Sequence, residues 1–441
     1  MKKRNFVKIS AFLLSGVCAL SCVGCVPAES TLLTAPAAAE ELSWAERRGE
    51  ELKAAVQIME PFAYQFAPAV YAKYEKNKNF AVSPASVFMA LALAAEASNG
   101  ETREQILSAL GVSHDVLREN ISLLYRALNM EHKMEATTGK KTVGRLQLSN
   151  SIWVDSSVTA KQACLNTLAE KYFCYSYSAD FVNKNANANQ AVREFVKKQT
   201  HDLIDKDFKL SKETVFALIN TLYLKDIWDS DREELSFTTE KYRFANADGS
   251  KKALKLLKGD YYVGRAQETE KFSYFYVLTQ HGYEIKFIVP KDGVEVDEIF
   301  TEENVTSVML DSTYDGVDKV NKIRYYTKCL FPEFKASYDD DIKSVLLERF
   351  GVENLFSAQN ADFSCLTDSP VYCGKVQHTT ALTVNKNGIE GAAVTLMDLA
   401  GAAGPDEYQE VYETFVVDRA FGFVVSSRED ITLFSGVVKK V

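Results

Sequence analysis

Two kinds of hydrophobic periodicity divide the chain, and their order is the feature that most restricts its fold. Helical spacing of apolar residues dominates the first half and predicts helices over 44–75, 84–97 and 102–110. Strand-like runs lie mostly in the second half, at 146–154, 215–224, 283–289, 323–331, 421–426 and 431–438. Helices and strands do not alternate regularly, so a doubly wound parallel sheet is not expected. The order predicts an α+β fold.

The folded pattern begins near Trp44 and continues to Val441 without a recognisable boundary or internal repeat. A chain of 441 residues is long enough for two or three domains. Its hydrophobic content of 46% can also supply one extensive core. Because no linker interrupts the pattern, we expect a single domain over 44–441.

The first 25 residues have the character of an export signal. A basic start that includes Lys2, Lys3 and Arg4 precedes an apolar run, which is too short and too rich in small residues to span a membrane well. Cys22 and Cys25 each follow a small residue near its end, a pattern that resembles a bacterial lipoprotein signal. We therefore expect export, with lipid anchoring at the cell surface through one of these cysteines or, alternatively, plain secretion. The Ala/Pro-rich segment 26–43 is predicted to be a flexible tether.

Net charge and cysteine content argue against nucleic acid as a partner and against a fold held together by disulfides. The formal net charge is −9, and loss of 1–25 removes four positive charges and no negative one, which gives −9 − 4 = −13. Such an acidic body is a poor match for nucleic acid. Five cysteines follow residue 25, an odd number without C-x-x-C spacing. We expect most of them to be buried small residues, and one disulfide between an unspecified pair is left open.

The sequence carries no recognisable catalytic motif. It has five histidines, no H-E-x-x-H, no G-x-S-x-G and no P-loop. We therefore expect no enzyme activity, no metal and no cofactor.

Separated motifs in one fixed order do point to a family. They are Asn79–Ser86, Gly100–Ile106, Leu148–Trp153, Asn220–Trp228, Phe331–Lys335, Gly351–Phe356, His378–Ala393 and Leu433–Val438. Their order and spacing resemble the serpin family of serine protease inhibitors, from about residue 52 to the end. The most specific stretch is V-N-K-N-G-I-E-G-A-A at 384–393, which is similar to the family hinge V-N-E-E-G-T-E-A-A-A. Four positions depart from the family pattern: Asp226 replaces Gly, Lys386 replaces Glu, Ile389 replaces Thr or Ser, and Ala420 replaces Pro.

The resemblance implies a monomeric domain of three β-sheets and about nine helices, with a reactive-centre loop over about 388–417 held outside the body. It implies a hinge where the loop leaves the sheet, formed by Gly388, Ile389, Glu390, Gly391, Ala392 and Ala393. It also implies a hydrogen-bonded cluster under the central sheet, the shutter, formed by Ser83, Ser86, Asn220 and His378. Trp228 matches the aromatic residue at the point where insertion of the loop begins.

The implied function is inhibition of a serine protease as a covalent acyl-enzyme complex, in which the cleaved loop inserts into the central sheet. The family spacing from Gly388 places the scissile bond between Ala402 and Ala403, with Leu399–Ala400 as second choice. No Lys or Arg occurs between Gly388 and Asp418, which argues against trypsin-like targets. Small residues favour an elastase-like protease, or a subtilisin-like one if Leu399 or Met397 is used.

The loop sequence itself suits insertion. Residues 388–403 contain no proline, and both charges, Glu390 and Asp398, fall on the same face of an extended strand. The alternatives are a flexible linker, and a non-inhibitory serpin that acts as a protease substrate or a surface-binding protein. Gly391, Ala392 and Ala393 favour inhibition, whereas a bulky Ile389 is expected to slow insertion.

Overall fold

The computed structural model describes residues 29–74, 77–136, 139–212, 214–229, 235–311, 316–390 and 408–441. Its helices are α1 (Trp44–Arg48), α2 (Glu50–Lys73), α3 (Pro84–Ala97), α4 (Gly100–Leu110), α5 (His114–Ala127), α6 (Gln162–Tyr172), α7 (Asn185–Gln199), α8 (Val296–Ile299), α9 (Glu302–Leu310) and α10 (Lys343–Phe350). Its strands are β1 (Ser30–Thr34), β2 (Phe80–Val82), β3 (Asn129–Ala136), β4 (Gly139–Asp155), β5 (Cys174–Ala179), β6 (Phe216–Lys225), β7 (Ser236–Phe237), β8 (Tyr242–Ala245), β9 (Lys251–Leu254), β10 (Leu257–Val263), β11 (Gln267–Glu268), β12 (Phe272–Leu278), β13 (Glu284–Pro290), β14 (Val317–Asp318), β15 (Ile323–Phe331), β16 (Phe334–Asp341), β17 (Gln377–Asn385), β18 (Gly388–Ile389), β19 (Gln409–Val416), β20 (Phe421–Ser426) and β21 (Thr432–Val438). The α+β prediction is confirmed.

The strands form five hydrogen-bonded groups. Three are large: β1, β5, β4 and β3 with β6 beside β4; β14, β15, β10 and β7 with β19 beside β15; and β11, β12, β13, β20, β21 and β2. Two are small: β16, β17 and β18, and the β8–β9 hairpin. The resemblance implies three sheets, and the larger number arises mainly because β6 and β17 share no backbone ladder among the described residues. Ten α-helices are found there where about nine are implied, and two of them, α1 and α8, are very short.

Helix α3 lies at the centre of the molecule and explains how the groups are held together. It packs against β6 on one side and β21 on another. Its residues are almost all apolar and thirteen are buried, including Phe88 and Leu91. Its start is fixed locally, because the Ser83 side chain accepts a hydrogen bond from the Ser86 N–H and Pro84 occupies the first helical position. The predicted bounds 84–97 are those observed.

The predicted helix over 44–75 is divided into two. Gly49 separates α1 from α2 and has an extended conformation, with φ −71° and ψ 151°. Ser43 begins α1 with a capping box in which its N–H and side chain both bond to Glu46. Glycine favours such a break because it loses more conformational entropy than other residues when it is held in a helix.

The segment predicted to be a flexible tether is described from residue 29 and differs from that expectation. Strand β1 pairs antiparallel with β5 and covers the outer edge of its sheet. Leu42 is buried in the main core, and Arg126 donates a hydrogen bond to the carbonyl oxygen of Glu40. An uncovered edge strand offers unpaired backbone groups, and β1 satisfies those of β5.

Among the described residues, none of the helices is both long and apolar enough to cross a bilayer.

Candidate functional site

The site lies where β6 and β17 run side by side. Ile389 pairs antiparallel with Val384 of β17 and, through an isolated bridge, with Asp226 just beyond β6. Both strands therefore point toward Ile389 and run in the same direction. In the described part of the chain no backbone ladder joins them, and a cavity between them is lined by Leu218 and Asn220 on one side and by Gln377 and His378 on the other. We call this gap between β6 and β17 the slot.

The hinge already occupies the mouth of the slot. The Ile389 N–H donates to the Asp226 carbonyl oxygen at 2.9 Å, and the Asp226 N–H donates to the Ile389 carbonyl oxygen at 3.2 Å. The next residue continues the pairing on the other side, since the Glu390 N–H donates to the Thr383 carbonyl oxygen at 2.7 Å. The Ile389 side chain is fully buried in the main core.

Glycine is required at the first hinge position. Gly388 has φ 136°, and a Cβ there would overlap the Asp226 carbonyl oxygen. A side chain at 388 would therefore prevent the close approach that lets Ile389 bond to Asp226.

Trp228 fixes the turn that leads into the hinge. Its indole Nε1–H donates to the Asn385 carbonyl oxygen at 2.8 Å, and its ring packs against Phe331 with centroids 5.3 Å apart. It also forms an isolated bridge with Thr279 in the turn between β12 and β13. The residue predicted to mark the start of insertion thus touches the last residue of β17.

The four shutter residues come together beneath the slot, although they are widely separated in sequence. The Ser83 N–H donates to His378 Nε2 at 3.0 Å, and the Ser86 hydroxyl donates to the Asn220 side-chain oxygen. Asn220 and His378 belong to the two facing strands, whereas the serines begin α3. Helix α3 is therefore bonded to both sides of the slot.

Asn150 is a fifth member that the sequence reasoning missed. It accepts a hydrogen bond from the Asn220 side-chain amide and donates to the Tyr172 carbonyl oxygen at 2.8 Å. It lies inside Leu148–Trp153, one of the motifs that resemble the family. A polar residue in a strand of mostly apolar residues is the sequence feature that could have identified it. Thr380 of β17, whose hydroxyl donates to the Ala81 carbonyl oxygen, was missed as well.

Burial sets the charge state of two titratable groups in the site. It lowers the pKa of His378 to about 3, so its imidazole is neutral and can accept the Ser83 N–H. It raises the pKa of Glu390 to about 7, and part of this rise is offset by the Tyr223 hydroxyl, 3.0 Å from the carboxyl, and by Lys225. The hinge carboxyl therefore titrates near neutral pH.

Several predicted residues lie outside the described residues. They are the hinge residues Gly391, Ala392 and Ala393, the bait candidates Leu399, Ala400, Ala402 and Ala403, and the lipidation candidates Cys22 and Cys25. Among the described residues, no group of three or more His, Cys, Asp or Glu side chains could hold a metal, and the five cysteines present are free. All of these except Cys365 are buried.

Comparisons with known proteins agree on one family. A family model described as Serpin (serine protease inhibitor) matches residues 57–441. Serpin-Z2A of Oryza sativa subsp. japonica is 26% identical, covering 82% of this chain and 91% of that protein. Neuroserpin of Homo sapiens is also 26% identical, covering 82% and 86%.

Solved structures share the fold. The thermophilic serpin tengpin in its native state has a TM-score of 0.70 at 21% identity, covering 94% of this chain and 100% of that chain. Thyroxine-binding globulin in complex with thyroxine has a TM-score of 0.67 at 19% identity, covering 87% and 98%.

Proposed function

The chain belongs to the serpin family, whose members are generally protease inhibitors, and on that premise we propose that it traps a serine protease as a covalent complex. The observation that supports this proposal most directly is the position of Ile389, which bonds to Asp226 at the end of one wall of the slot and lies opposite Val384 in the other wall. A loop that is cut downstream of Ile389 can extend this pairing along two strands that share no ladder.

The register at Ile389 predicts the path of the inserted loop. In an antiparallel ladder, each step forward along the loop moves one step back along both β6 and β17. Six residues beyond Ile389 in the loop is Thr395. Six residues before Asp226 is Asn220, and six residues before Val384 is His378. Position 395 would therefore lie between the two shutter residues of the facing strands. Ten steps bring Leu399 opposite Phe216, the first residue of β6.

This register agrees with cleavage between Ala402 and Ala403. Along β6 the slot would accept the loop to residue 399, whereas β17 begins at Gln377, opposite residue 396. Pairing with β6 to residue 399 leaves three residues between the inserted strand and the ester to the protease. Since β6 has ten residues, full insertion would carry that ester about 30 Å from the mouth of the slot. Cleavage at Leu399–Ala400, the second choice, would leave no such linker.

The covalent step is that of ordinary acyl transfer. The protease's serine hydroxyl attacks the bait carbonyl, the peptide bond breaks, and the new amine leaves with a proton from the protease's histidine. The acyl ester then joins the protease to the loop. Insertion that is faster than hydrolysis pulls on the protease and stops deacylation.

We propose an elastase-like target with a subtilisin-like one as the alternative. The loop and the segment after it contain no Lys or Arg from Gly388 to Asp418, so a trypsin-like pocket would lack its basic residue. Ala402 is small enough for the narrow pocket of an elastase.

We also propose that the protein is exported and acts as a monomer at the cell surface. If Cys25 or Cys22 carries a lipid, β1 begins five or eight residues later, at Ser30. At about 3.5 Å per residue, that length would keep the domain within about 30 Å of the bilayer surface. The protease would then be captured close to the membrane.

Incubation of the purified full-length chain with pancreatic elastase tests the function. The expected result is a band of summed mass that survives denaturing electrophoresis, with a released C-terminal peptide that begins at Ala403 by mass spectrometry. Elastase with its serine blocked is the control and should give no such band. Cleavage without a covalent band, repeated with subtilisin- and chymotrypsin-like proteases, would instead support a substrate-type serpin with a binding role.

Ile389→Arg separates recognition from trapping. A charged side chain cannot be buried where Ile389 is now, so insertion should fail while the bait bond is still cut. Ile389→Val is the matched control and should still form the complex. Equal complex formation by both variants would contradict the proposed insertion.

A further inference from the structure

Asp226 departs from the family pattern at the mouth of the slot. The family motif has Gly at this position. Here the Asp226 side chain is fully buried, and its backbone makes both hydrogen bonds to Ile389. The residue that receives the hinge is therefore also the one that carries an unexpected carboxylate.

The carboxylate is held by the turn between β12 and β13. His281 Nδ1 lies 2.6 Å from Asp226 Oδ1, and the His281 backbone N–H donates to Asp226 Oδ2 at 3.1 Å. The same turn is bonded to the residue after Asp226, because the Gln280 N–H donates to the Ile227 carbonyl oxygen at 2.9 Å. Two consecutive residues beyond β6 are thus hydrogen-bonded to the same turn.

The residues around Asp226 and His281 leave room for the two side chains and pack against them. The His281 ring stacks on that of His132 in β3, with centroids 3.9 Å apart, and His132 Nε2 lies 3.3 Å from the Tyr283 hydroxyl. On β4, Gly144 faces the carboxylate, and a Cβ there would lie 2.5 Å from Asp226 Oδ1. The carboxylate therefore occupies space that exists because residue 144 has no side chain.

We propose that Asp226 is a positioning residue for loop insertion: its carboxylate, held by His281, fixes the backbone groups that form the first rung with Ile389. This inference rests on the proposed function and specifies how insertion starts. When the hydrogen bonds between Asp226 and Ile389 are fixed in advance, the residues after Ile389 can pair with the two walls of the slot without a preceding rearrangement of its mouth. The fraction of cleaved molecules that trap the protease, rather than release it, then depends on this pair.

Four variants test the role. Asp226→Gly restores the family residue and removes the bonds to His281, and Asp226→Asn is the conservative variant, which keeps an acceptor for the His281 N–H. Gly144→Ala keeps the carboxylate but displaces it. Asp155→Asn is the matched control, since Asp155 is another buried carboxylate that binds backbone N–H groups, at the opposite end of β4.

Two measurements are made with elastase on the full-length variants. The first is the number of molecules cleaved per covalent complex formed. The second is the rate at which cleaved protein gains thermal stability, which reports insertion without requiring a complex. We expect Asp226→Gly and Gly144→Ala to slow insertion roughly tenfold, the value of one hydrogen bond to a charged group, with Asn between them and wild type. Asp155→Asn should lower native stability but leave both measurements unchanged.

The outcomes separate this inference from the proposed function. Insertion of Asp226→Gly at the wild-type rate, or an equal effect of Asp155→Asn, would overturn the role of Asp226. Wild-type protein that gains stability after cleavage but forms no complex would overturn inhibition instead, and the insertion rates would still test Asp226.

Discussion

Replacement of His378 by glutamine should remove a defined part of the acid sensitivity of the native protein. His378 is buried in β17, where its Nε2 accepts the Ser83 N–H at 3.0 Å. Burial lowers its pKa from 6.5 to about 3, because a protonated imidazole would be poorly solvated there and would oppose one N–H with another. Glutamine can supply a neutral acceptor at the same place without titrating.

The magnitude follows from proton linkage. In the unfolded chain His378 takes up a proton below pH 6.5, whereas in the native state it does so only near pH 3. Stability is therefore lost as pH falls from 6.5 toward 3. At pH 4.5, two pH units below the unfolded value, the loss attributable to His378 is about 3 kcal/mol.

Urea unfolding midpoints at pH 7.5 and pH 4.5 measure this loss. We expect the free energy of unfolding of His378→Gln to fall less between these pH values than that of wild type, by about 3 kcal/mol, while both proteins have similar stability at pH 7.5. His132→Gln is a useful comparison, because burial and the neighbouring His281 lower the pKa of His132 to about 4. The two effects should add in the double variant, since the two histidines occupy different sites. An unchanged drop in His378→Gln would refute the argument.

Three further predictions concern stability and the hinge. Burial raises the pKa of Glu60 from 4.5 to about 7, so its ionised form lowers the stability of the native state by about 3 kcal/mol above pH 7. Glu60→Gln should therefore have a higher urea midpoint than wild type at pH 8 but not at pH 4. Equal midpoints of the two proteins at pH 8 would contradict this. Asn220→Ala leaves the side-chain oxygen of the buried Asn150 without its donor and the Ser86 hydroxyl without its acceptor, and it should lower the native thermal midpoint by the equivalent of about 2 kcal/mol; calorimetry that shows no decrease would contradict the shared network. In Gly388→Ala the new Cβ would overlap the Asp226 carbonyl oxygen and should displace the hinge from the mouth of the slot. Limited proteolysis should then cut near residue 388 faster than in wild type. An unchanged cleavage pattern would argue against the pairing at Ile389.

Local chemistry made part of the fold predictable. The Ser83–Pro84 pair predicts the first residue of α3, and the observed side-chain cap explains why that signal works. Gly111 ends α4 with φ 68°, as a C-terminal glycine predicts. Strand β15 was predicted with its observed bounds, 323–331, since a stretch rich in β-branched and aromatic residues ends at Pro332. These features depend on residues that are neighbours in sequence.

Pairing between distant segments was not predictable in the same way. The four residues Ser83, Ser86, Asn220 and His378 were grouped through the family resemblance, because no periodicity links positions almost 300 residues apart. Strand β1 was missed because five residues of moderate polarity form a strand only where β5 offers a free edge. Asn150 was missed because a single polar residue in a buried strand does not reveal its partner.

Two departures from the family pattern have a different meaning once their contact is known. Taken singly, Ile389 implies slow insertion because a bulky residue must be buried early, and Asp226 is only a replacement of the usual glycine. In the structure the two residues share both backbone bonds of the first rung, and the Ile389 side chain is already buried. The burial of the Ile389 side chain, which was expected to slow insertion, is therefore complete before cleavage. Asp226, held by His281, keeps Ile389 in this position. A chain that carried Ile389 with glycine at 226 should insert more slowly than one with either the present pair or the family pair of Thr and Gly, because only the mismatched chain must bury the larger side chain at an unrestrained strand end.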